Sequence, residues 1–171
     1  MDSMRVDAIA HGRVHQINVS RGGTPKLPVR SAVVTAEGLT GDGHNDERNH
    51  GGPLKAVCLY TLEQIERLAE EGHPVYPGAI GENVTLRGIP LELLTRGARV
   101  GIGAETLLEI TKYVSPCETI AGFFNGGDFT RVAHKLHPGE SRVYACVIQG
   151  GQIHEGDEVR VWAADEREAV R

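Results

Sequence analysis

The sequence predicts a mainly β fold with a few short helices, in which antiparallel strands close into a barrel. Short apolar segments of strand length follow one another closely along the 171 residues. Many of the 22 glycines stand between these segments, where they are typical of turns. The regular crossover helices that a doubly wound parallel sheet requires are missing. An antiparallel-dominated barrel therefore fits the pattern best.

Five strands and one helix are predicted in the first half of the chain. A loop is expected at 21–28, which contains two glycines and two prolines. Thr61, followed three residues later by Gln64, is a capping-box pattern and predicts the helix start. Gly72 and Pro74 predict its end. The strands are predicted over residues 4–10, 13–19, 30–36, 55–60 and 82–86.

Four further strands are predicted in the second half. Residues 118–124 and 129–136 are expected to form short helices, and Gly150-Gly151 is typical of a two-residue hairpin turn. The strands are predicted over residues 98–102, 105–111, 142–148 and 158–162. We therefore expect one domain over residues 1–171, with a core at about 5–162 and a polar tail at 163–171.

Composition excludes several classes of function. The formal net charge of −5 disfavours binding to a nucleic-acid backbone. The sequence contains no apolar run of the roughly 20 residues needed to span a bilayer, and we expect no membrane association. No basic segment followed by an apolar one opens the chain, and the three cysteines are too few and too far apart for a disulfide framework. We expect a cytoplasmic protein.

Cys117 is the strongest candidate for a reactive group. It follows Pro116 and precedes an expected helix start, where backbone amides stabilise a thiolate. The alternative is that it packs as a small hydrophobe, as free cysteines usually do. Cys58 and Cys146 each lie within an apolar strand, and for these two we predict packing.

Residues 37–53 form a polar, glycine-rich loop that is a second candidate site. Its carboxylate and imidazole side chains could bind a divalent metal ion. Their spacing matches no well-specified zinc signature, and Asp and Asn also shape loops through Asx-turns. The candidate ligands are Asp42, His44, Asp46 and His50.

Three short segments carry groups suited to an anionic or heterocyclic ligand. His50-Gly51-Gly52, followed by Lys55, offers bare amides and a cation for an oxyanion, or forms an ordinary tight turn. Glu82-Asn83 could hydrogen-bond a heterocycle edge, or could tie down the preceding loop. Ser141-Arg142 places a guanidinium at a strand start, which suits phosphate or carboxylate, or is a plain surface arginine.

The order of these segments resembles one known family. Gly38-Leu39-Thr40-Gly41-Asp42 leads to His50-Gly51-Gly52 and Gly81-Glu82-Asn83, and then to Ser115-Pro116-Cys117 and Ser141-Arg142-Val143-Tyr144. The set is similar to the MOSC family, named for the C-terminal domain of molybdenum cofactor sulfurases, and specifically to its short stand-alone bacterial type. The resemblance covers roughly residues 5–162.

This resemblance implies a strand-rich barrel in which Cys117 is the signature cysteine. In relatives that reduce N-hydroxylated compounds, that cysteine ligates molybdenum, and in the sulfurases it is proposed to carry sulfur. The resemblance also places several residues in signature segments, where we expect them to contact the molybdenum cofactor. They are His50, Gly51, Gly52, Lys55, Glu82, Asn83, Ser141 and Arg142.

Three functions follow as hypotheses. The first is a molybdenum-cofactor oxidoreductase with Cys117 as metal ligand, a small-molecule substrate and a separate electron-donor protein. The second is a sulfur carrier that holds a persulfide on Cys117 and receives it from a sulfur donor protein, since no pyridoxal-phosphate domain is expected in this chain. The third is a divalent-metal site built on Asp42, His44, Asp46 and His50.

Overall fold

The computed structural model describes residues 7–43 and 52–165. Within these ranges it contains eleven strands and one α-helix, α1 at Leu62–Glu70. Short 3-10 helices lie at Pro53–Lys55, Leu91–Leu93, Glu118–Phe123, Asn125–Gly127 and Phe129–Val132. The strands are β1 Ala10–Val19, β2 Leu27–Val29, β3 Ser31–Thr35, β4 Gly38–Leu39, β5 Val57–Thr61, β6 Val84–Arg87, β7 Arg99–Ile102, β8 Thr106–Tyr113, β9 Val143–Gln149, β10 Gly151–His154 and β11 Glu158–Trp162.

Seven strands close into a barrel, as the sequence predicted. Their order is β11-β7-β8-β9-β5-β6-β1, and β1 pairs back onto β11. All neighbours are antiparallel except β5 and β6. The predicted β-rich fold class is therefore confirmed.

The barrel interior is filled by alternating aliphatic side chains. On β8, the inward positions Leu108 and Ile110 are at most 1% exposed. Helix α1 packs its buried face, which includes Ile65 and Leu68, against β5 and β6. Burial of each such side chain is worth about 1.5–3 kcal/mol. The Gln64 amide donates to Thr61 Oγ1 at 3.3 Å, which confirms the predicted cap.

A three-stranded sheet in the order β10-β3-β4 accompanies the barrel. The prediction of a hairpin at Gly150-Gly151 was wrong, because β10 pairs with β3 and not with β9. A Cβ atom at Gly150 would overlap the carbonyl oxygen of Val34. Glycine is therefore needed here for a close backbone approach and not for a hairpin turn.

Two other predicted elements differ in extent. Of the strand expected at 4–10, residues 4–6 lie outside the described residues, 7–9 are not in a strand and Ala10 begins β1. From there β1 runs without a break into the strand expected at 13–19, because His11 and Gly12 pair with Arg160 and Val159 of β11. The helix expected at 129–136 is limited to the 3-10 turn Phe129–Val132, since Ala133 already has extended dihedral angles.

No helix of the described residues is long and apolar enough to cross a membrane.

Candidate functional site

A pocket of about 660 Å³ opens beside the barrel, where several segments that are far apart in the sequence meet. Strands β5 and β9 contribute Cys58 and Tyr144 to its wall. The loops at 23–26 and 80–83 form a second part of the wall. A third part consists of Lys112, near the end of β8, and of residues 115–120, which follow that strand. The pocket lies mostly on segments that the sequence analysis had singled out.

Four of the predicted site residues line this one pocket. They are Lys55, Asn83, Cys117 and Arg142, which are far apart in sequence. Gly52 precedes the 3-10 helix that carries Lys55, and its φ of 95° is favoured by glycine. His50 and Gly51 lie outside the described residues.

Cys117 presents a partly exposed thiol to the pocket. Strand β8 ends at Tyr113, and the Val114 amide then donates to the Arg142 carbonyl at 2.9 Å. This hydrogen bond holds the backbone in place just before the cysteine. The expected helix start is present, because the 3-10 helix Glu118–Phe123 follows Cys117 directly. Cys117 makes no side-chain capping bond to the six-residue 3-10 helix that follows it, and its Sγ instead lies 2.9 Å from Thr119 Oγ1.

Cys58 is a second thiol at the same pocket, but it is 6% exposed. Burial raises the pKa of its thiol to about 12. The predicted packing role is confirmed, since Cys58 packs with Val114 and Tyr144. Cys146 lies on β9 outside the pocket and is only partly buried.

The pocket is cationic although the whole chain is acidic. Lys55, Lys112 and Arg142 line it together with Lys26, whose charge is balanced by Asp42. Glu118 is the carboxylate among the described lining residues. Lys55 Nζ lies 5.6 Å from the centroid of the Tyr144 ring, in a cation–π arrangement. This lining favours a negatively charged ligand.

Arg142 has hydrogen-bonding capacity to spare. It is 7% exposed, and one guanidinium nitrogen, Nη1, donates to the Ile80 carbonyl at 2.7 Å. Its Nε is buried without a partner among the described residues, and so is the hydroxyl of the neighbouring Ser141. An unpartnered buried donor is costly, and of these two residues Arg142 also lines the pocket.

Asp42 has a structural role in the part of the loop that the structure describes. Its carboxylate is 3% exposed and accepts from Lys26 Nζ at 2.7 Å, from Asn83 Nδ2 at 2.9 Å and from the Ser20 amide at 3.0 Å. Its oxygens are therefore occupied. The other proposed metal ligands, His44, Asp46 and His50, lie outside the described residues. The residues at 7–43 and 52–165 contain no group of three metal-binding side chains.

Glu82 and Asn83 support the pocket wall: Asn83 lines the pocket, and Glu82 is buried next to it in the chain. Asn83 Oδ1 accepts from the Cys58 amide at 2.9 Å, so that this side chain connects β5 to the loop. Glu82 is fully buried and accepts from the Gly78 amide and from Thr85 Oγ1. Burial raises the pKa of its carboxyl group, while its hydrogen bonds and the Arg142 charge act in the opposite direction.

Sequence reasoning missed several lining residues. Lys26 was assigned only to a loop, yet it contributes a cation to the pocket, and so does Lys112. Thr119 was not singled out, although it lies two residues after the cysteine. Lys112 and Thr119 could have been identified from their positions close to Cys117 in the sequence, where only the thiol was considered.

Comparisons with known proteins agree with the fold. The MOSC domain model matches residues 46–160. The protein YflK of Bacillus subtilis is 31% identical over 147 residues, which are 85% of this chain and 65% of YflK. YiiM of Escherichia coli is 27% identical over 58% of this chain and 46% of its own length. The chain thus spans less than two thirds of each of these relatives.

Solved structures show the same architecture. YiiM of Geobacillus stearothermophilus superposes with a TM-score of 0.69 at 25% identity, over 88% of this chain and 74% of that one. The YuaD protein of Bacillus subtilis gives a TM-score of 0.69 over 91% of this chain and 97% of its own, at 16% identity, and supports the fold alone. Because the family model covers most of the chain, from Asp46 to Arg160, we conclude that the protein belongs to the MOSC domain family.

Proposed function

We propose that this MOSC protein binds a molybdenum cofactor in the pocket and uses it to reduce N-hydroxylated compounds, with Cys117 Sγ as a ligand of molybdenum. One observation carries the proposal: the partly exposed Cys117 thiol shares a pocket with the cationic side chains of Arg142, Lys55 and Lys112. The Cys117 sulfur, a soft metal ligand, and the Arg142 guanidinium, an anion-binding group, are therefore parts of the same pocket.

The residues of the pocket fit the chemistry of such a cofactor. Molybdenum favours soft sulfur ligands, of which a thiolate is one. The pterin carries a phosphate, for which Arg142, Lys55 and Lys112 offer charge-assisted hydrogen bonds. The volume of about 660 Å³ also suits a cofactor-sized ligand, since such sites typically span roughly 300–1,000 Å³.

Each group of the chain has a distinct part in this proposal. When bound, the cofactor supplies a redox-active metal. Cys117 would hold that metal through Sγ, and Arg142 would orient the phosphate from a fixed position, because Nη1 is already bonded to Ile80. Asn83 would keep the wall in place through Asp42 and Cys58. The electrons would come from a separate donor protein.

Molybdenum content is the direct test. The wild-type chain and Cys117→Ser would be purified from a host that makes molybdopterin, with Cys146→Ser as the matched control because Cys146 lies outside the pocket. We expect near-stoichiometric molybdenum in the wild type and the control, and a loss in Cys117→Ser. Metal retained in Cys117→Ser would refute the ligand role. Reductase assays with an N-hydroxylated amine would follow.

A persulfide carrier is a second candidate, because the neighbours Glu118 and Thr119 are exposed and leave the thiol within reach of another protein. The outer sulfur of a desulfurase persulfide would move to the Cys117 thiolate, and the desulfurase cysteine would leave as a thiolate. Mass spectrometry after incubation with a cysteine desulfurase should then show one added sulfur on Cys117. An unmodified thiol would count against this candidate.

A further inference from the structure

We propose that Thr111 is a positioning residue for a phosphate-binding subsite of the pocket, which the ammonium groups of Lys55 and Lys112 form. The inference deepens the proposed function and rests on it in one respect: the ligand of the pocket carries a phosphate group. Thr111 is not among the lining residues, and it acts through the backbone of the two lysines.

Strand β8 contains a β-bulge at Thr111. Ile110 pairs with Ala145 of β9 and Lys112 pairs with Tyr144, which leaves Thr111 as an extra residue between the two pairs. Side chains alternate between the two faces of a regular strand, and one extra residue reverses that alternation beyond the bulge.

The bulge changes the direction of the Lys112 side chain. Ile110 is buried inside the barrel, and strict alternation would send the side chain of Lys112 to the same interior. Lys112 is instead exposed and lines the pocket, while Tyr113 packs against the core. The extra residue therefore places a cation at the pocket.

The hydroxyl group of Thr111 holds the segment that carries the other lysine. Thr111 Oγ1 donates to the Leu54 carbonyl at 2.5 Å, and Leu54 immediately precedes Lys55 in a short 3-10 helix. The backbone that carries Lys55 is therefore attached directly to the bulge that precedes Lys112.

Tyr144 is a neighbour of both lysines. It is the register partner of Lys112, and Lys55 Nζ lies 5.6 Å from the centroid of its ring. All three residues line the pocket. Two cations at one wall favour an anion, and the several acceptor oxygens of a phosphate group can accept from both ammonium groups.

Binding of inorganic pyrophosphate tests the subsite, because this probe offers phosphate oxygens without a metal or a pterin. The full chain would be made in a host without molybdopterin and titrated by calorimetry at low ionic strength, where salt screens charges least. Thr111→Val removes the hydroxyl group and keeps the branched shape, and Thr111→Ser restores a hydroxyl group. The matched control is Thr35→Val, since Thr35 also donates from a strand to a backbone carbonyl, that of Gly38, and neither residue lines the pocket.

We expect the wild type to bind pyrophosphate, and Thr111→Val to raise the dissociation constant roughly three- to tenfold, the effect of one hydrogen bond. Thr111→Ser and Thr35→Val should bind like the wild type. Lys55→Gln and Lys112→Gln should each weaken binding at least about tenfold, because each loses a charged donor. No binding to the wild type, an unchanged constant in Thr111→Val, or a Thr111→Ser variant as weak as the valine variant would overturn the inference.

A double-mutant cycle separates positioning from a merely structural effect. If the Thr111 hydroxyl acts through the segment that carries Lys55, Thr111→Val should weaken binding less than about twofold in a chain that already contains Lys55→Gln. The full loss in that background would show that Thr111 acts elsewhere, and would contradict its positioning role.

The failure of this inference and that of the proposed function are distinguishable, because the titration contains no molybdenum. Metal retained in Cys117→Ser would refute the ligand role of the sulfur and leave pyrophosphate binding as it is. The pterin content of Thr111→Val from a host that makes molybdopterin separates two sources of the phosphate group. A lowered content would assign the subsite to the cofactor, and an unchanged content would assign it to another phosphate-bearing ligand; weakened pyrophosphate binding supports the subsite in both cases.

Discussion

The two sides of the pocket are held in place by different means. On the barrel side, Asn83 joins the Cys58 amide to Asp42, and Asp42 pairs with the buried ammonium of Lys26. On the cysteine side, the 3-10 turns after Cys117 are attached at their far end, where Asn125 donates to His73 Nδ1 and Arg131 binds Glu71. Both sides present a cysteine to the same pocket.

Because of this difference, one side of the pocket is rigid and the other is accessible. On the barrel side the buried side chains of Asp42 and Asn83 are hydrogen-bonded, and burial leaves the Cys58 thiol protonated. A reactive thiol needs exposure instead, and the short turns after β8 supply it for Cys117. The family fold thus provides a rigid wall, and a surface segment provides the sulfur.

The largest expected effect concerns the two thiols. With a pKa of about 12, Cys58 at pH 8 has on the order of one thiolate in ten thousand molecules, and only the thiolate reacts with alkylating agents. We expect Cys117 to be alkylated at least about a thousandfold faster than Cys58. Quantitative mass spectrometry of the two tryptic peptides measures both rates. Similar rates would show that the barrel side is as accessible as the cysteine side.

The buried ion pair gives the next effect. Asp42→Ala leaves the Lys26 ammonium buried and unpaired, which typically costs about 3–5 kcal/mol. The matched control is Glu109→Ala, which breaks a partly exposed pair with Arg99 and should cost no more than about 1 kcal/mol. Urea unfolding measures both. A loss in Asp42→Ala no larger than in the control would mean that the barrel side does not depend on this pair.

The fold was more predictable than the site, for a physical reason. Strand patterns and the Thr61 cap are local, and the structure confirms the cap and most of the predicted strands, although β2, β4 and β10 were not predicted. The pocket joins Lys26, Asn83, Cys117 and Arg142 across the barrel, and single-sequence spacing does not contain that geometry. Motif order identified three of these four residues through the family resemblance. Lys26 belonged to no motif, and nothing local shows that Asp42 would pair with it.

A substitution of Glu82 tests whether the barrel side tolerates a buried negative charge. Since burial raises the pKa of its carboxyl group, the folded state binds the proton more tightly than the unfolded state. Its contribution to stability is therefore present below the ordinary glutamate pKa of about 4.3 and is lost as the pH rises through the folded value. Glu82→Gln resembles the protonated form, and should be more stable than the wild type at pH 8 by on the order of 1 kcal/mol.

This difference in stability should close as the pH falls well below about 4.3, where the wild-type carboxyl group is protonated in both states. Urea unfolding of both proteins across that range measures the gap. A variant that is less stable than the wild type at every pH would show instead that the Glu82 carboxylate is stabilised in place, with the Arg142 charge outweighing burial.

The smallest effect concerns the attachment of the cysteine side. Arg131 donates to both carboxylate oxygens of Glu71 at 2.8 Å and to Glu140 at 3.0 Å. Because the Glu71 side chain is 38% exposed, water and salt weaken the pair, and Arg131→Gln should cost less than about 1 kcal/mol. Hydrogen bonding and charge from Arg131 lower the pKa of Glu71, and they lower that of Glu140 against an opposing effect of burial.

The pH dependence of this last effect has the opposite sign to that of Glu82. A lowered carboxyl pKa contributes stability above the ordinary value of about 4.3, and that contribution is lost as the pH falls through the folded values. The difference between the wild type and Arg131→Gln should therefore shrink in acid and in high salt. Amide hydrogen exchange should also quicken at 118–132 and remain unchanged on β5, because only the cysteine side depends on this contact. Equal exchange on both sides would mean that the two move as one unit, and that the pocket has no separately attached cysteine side.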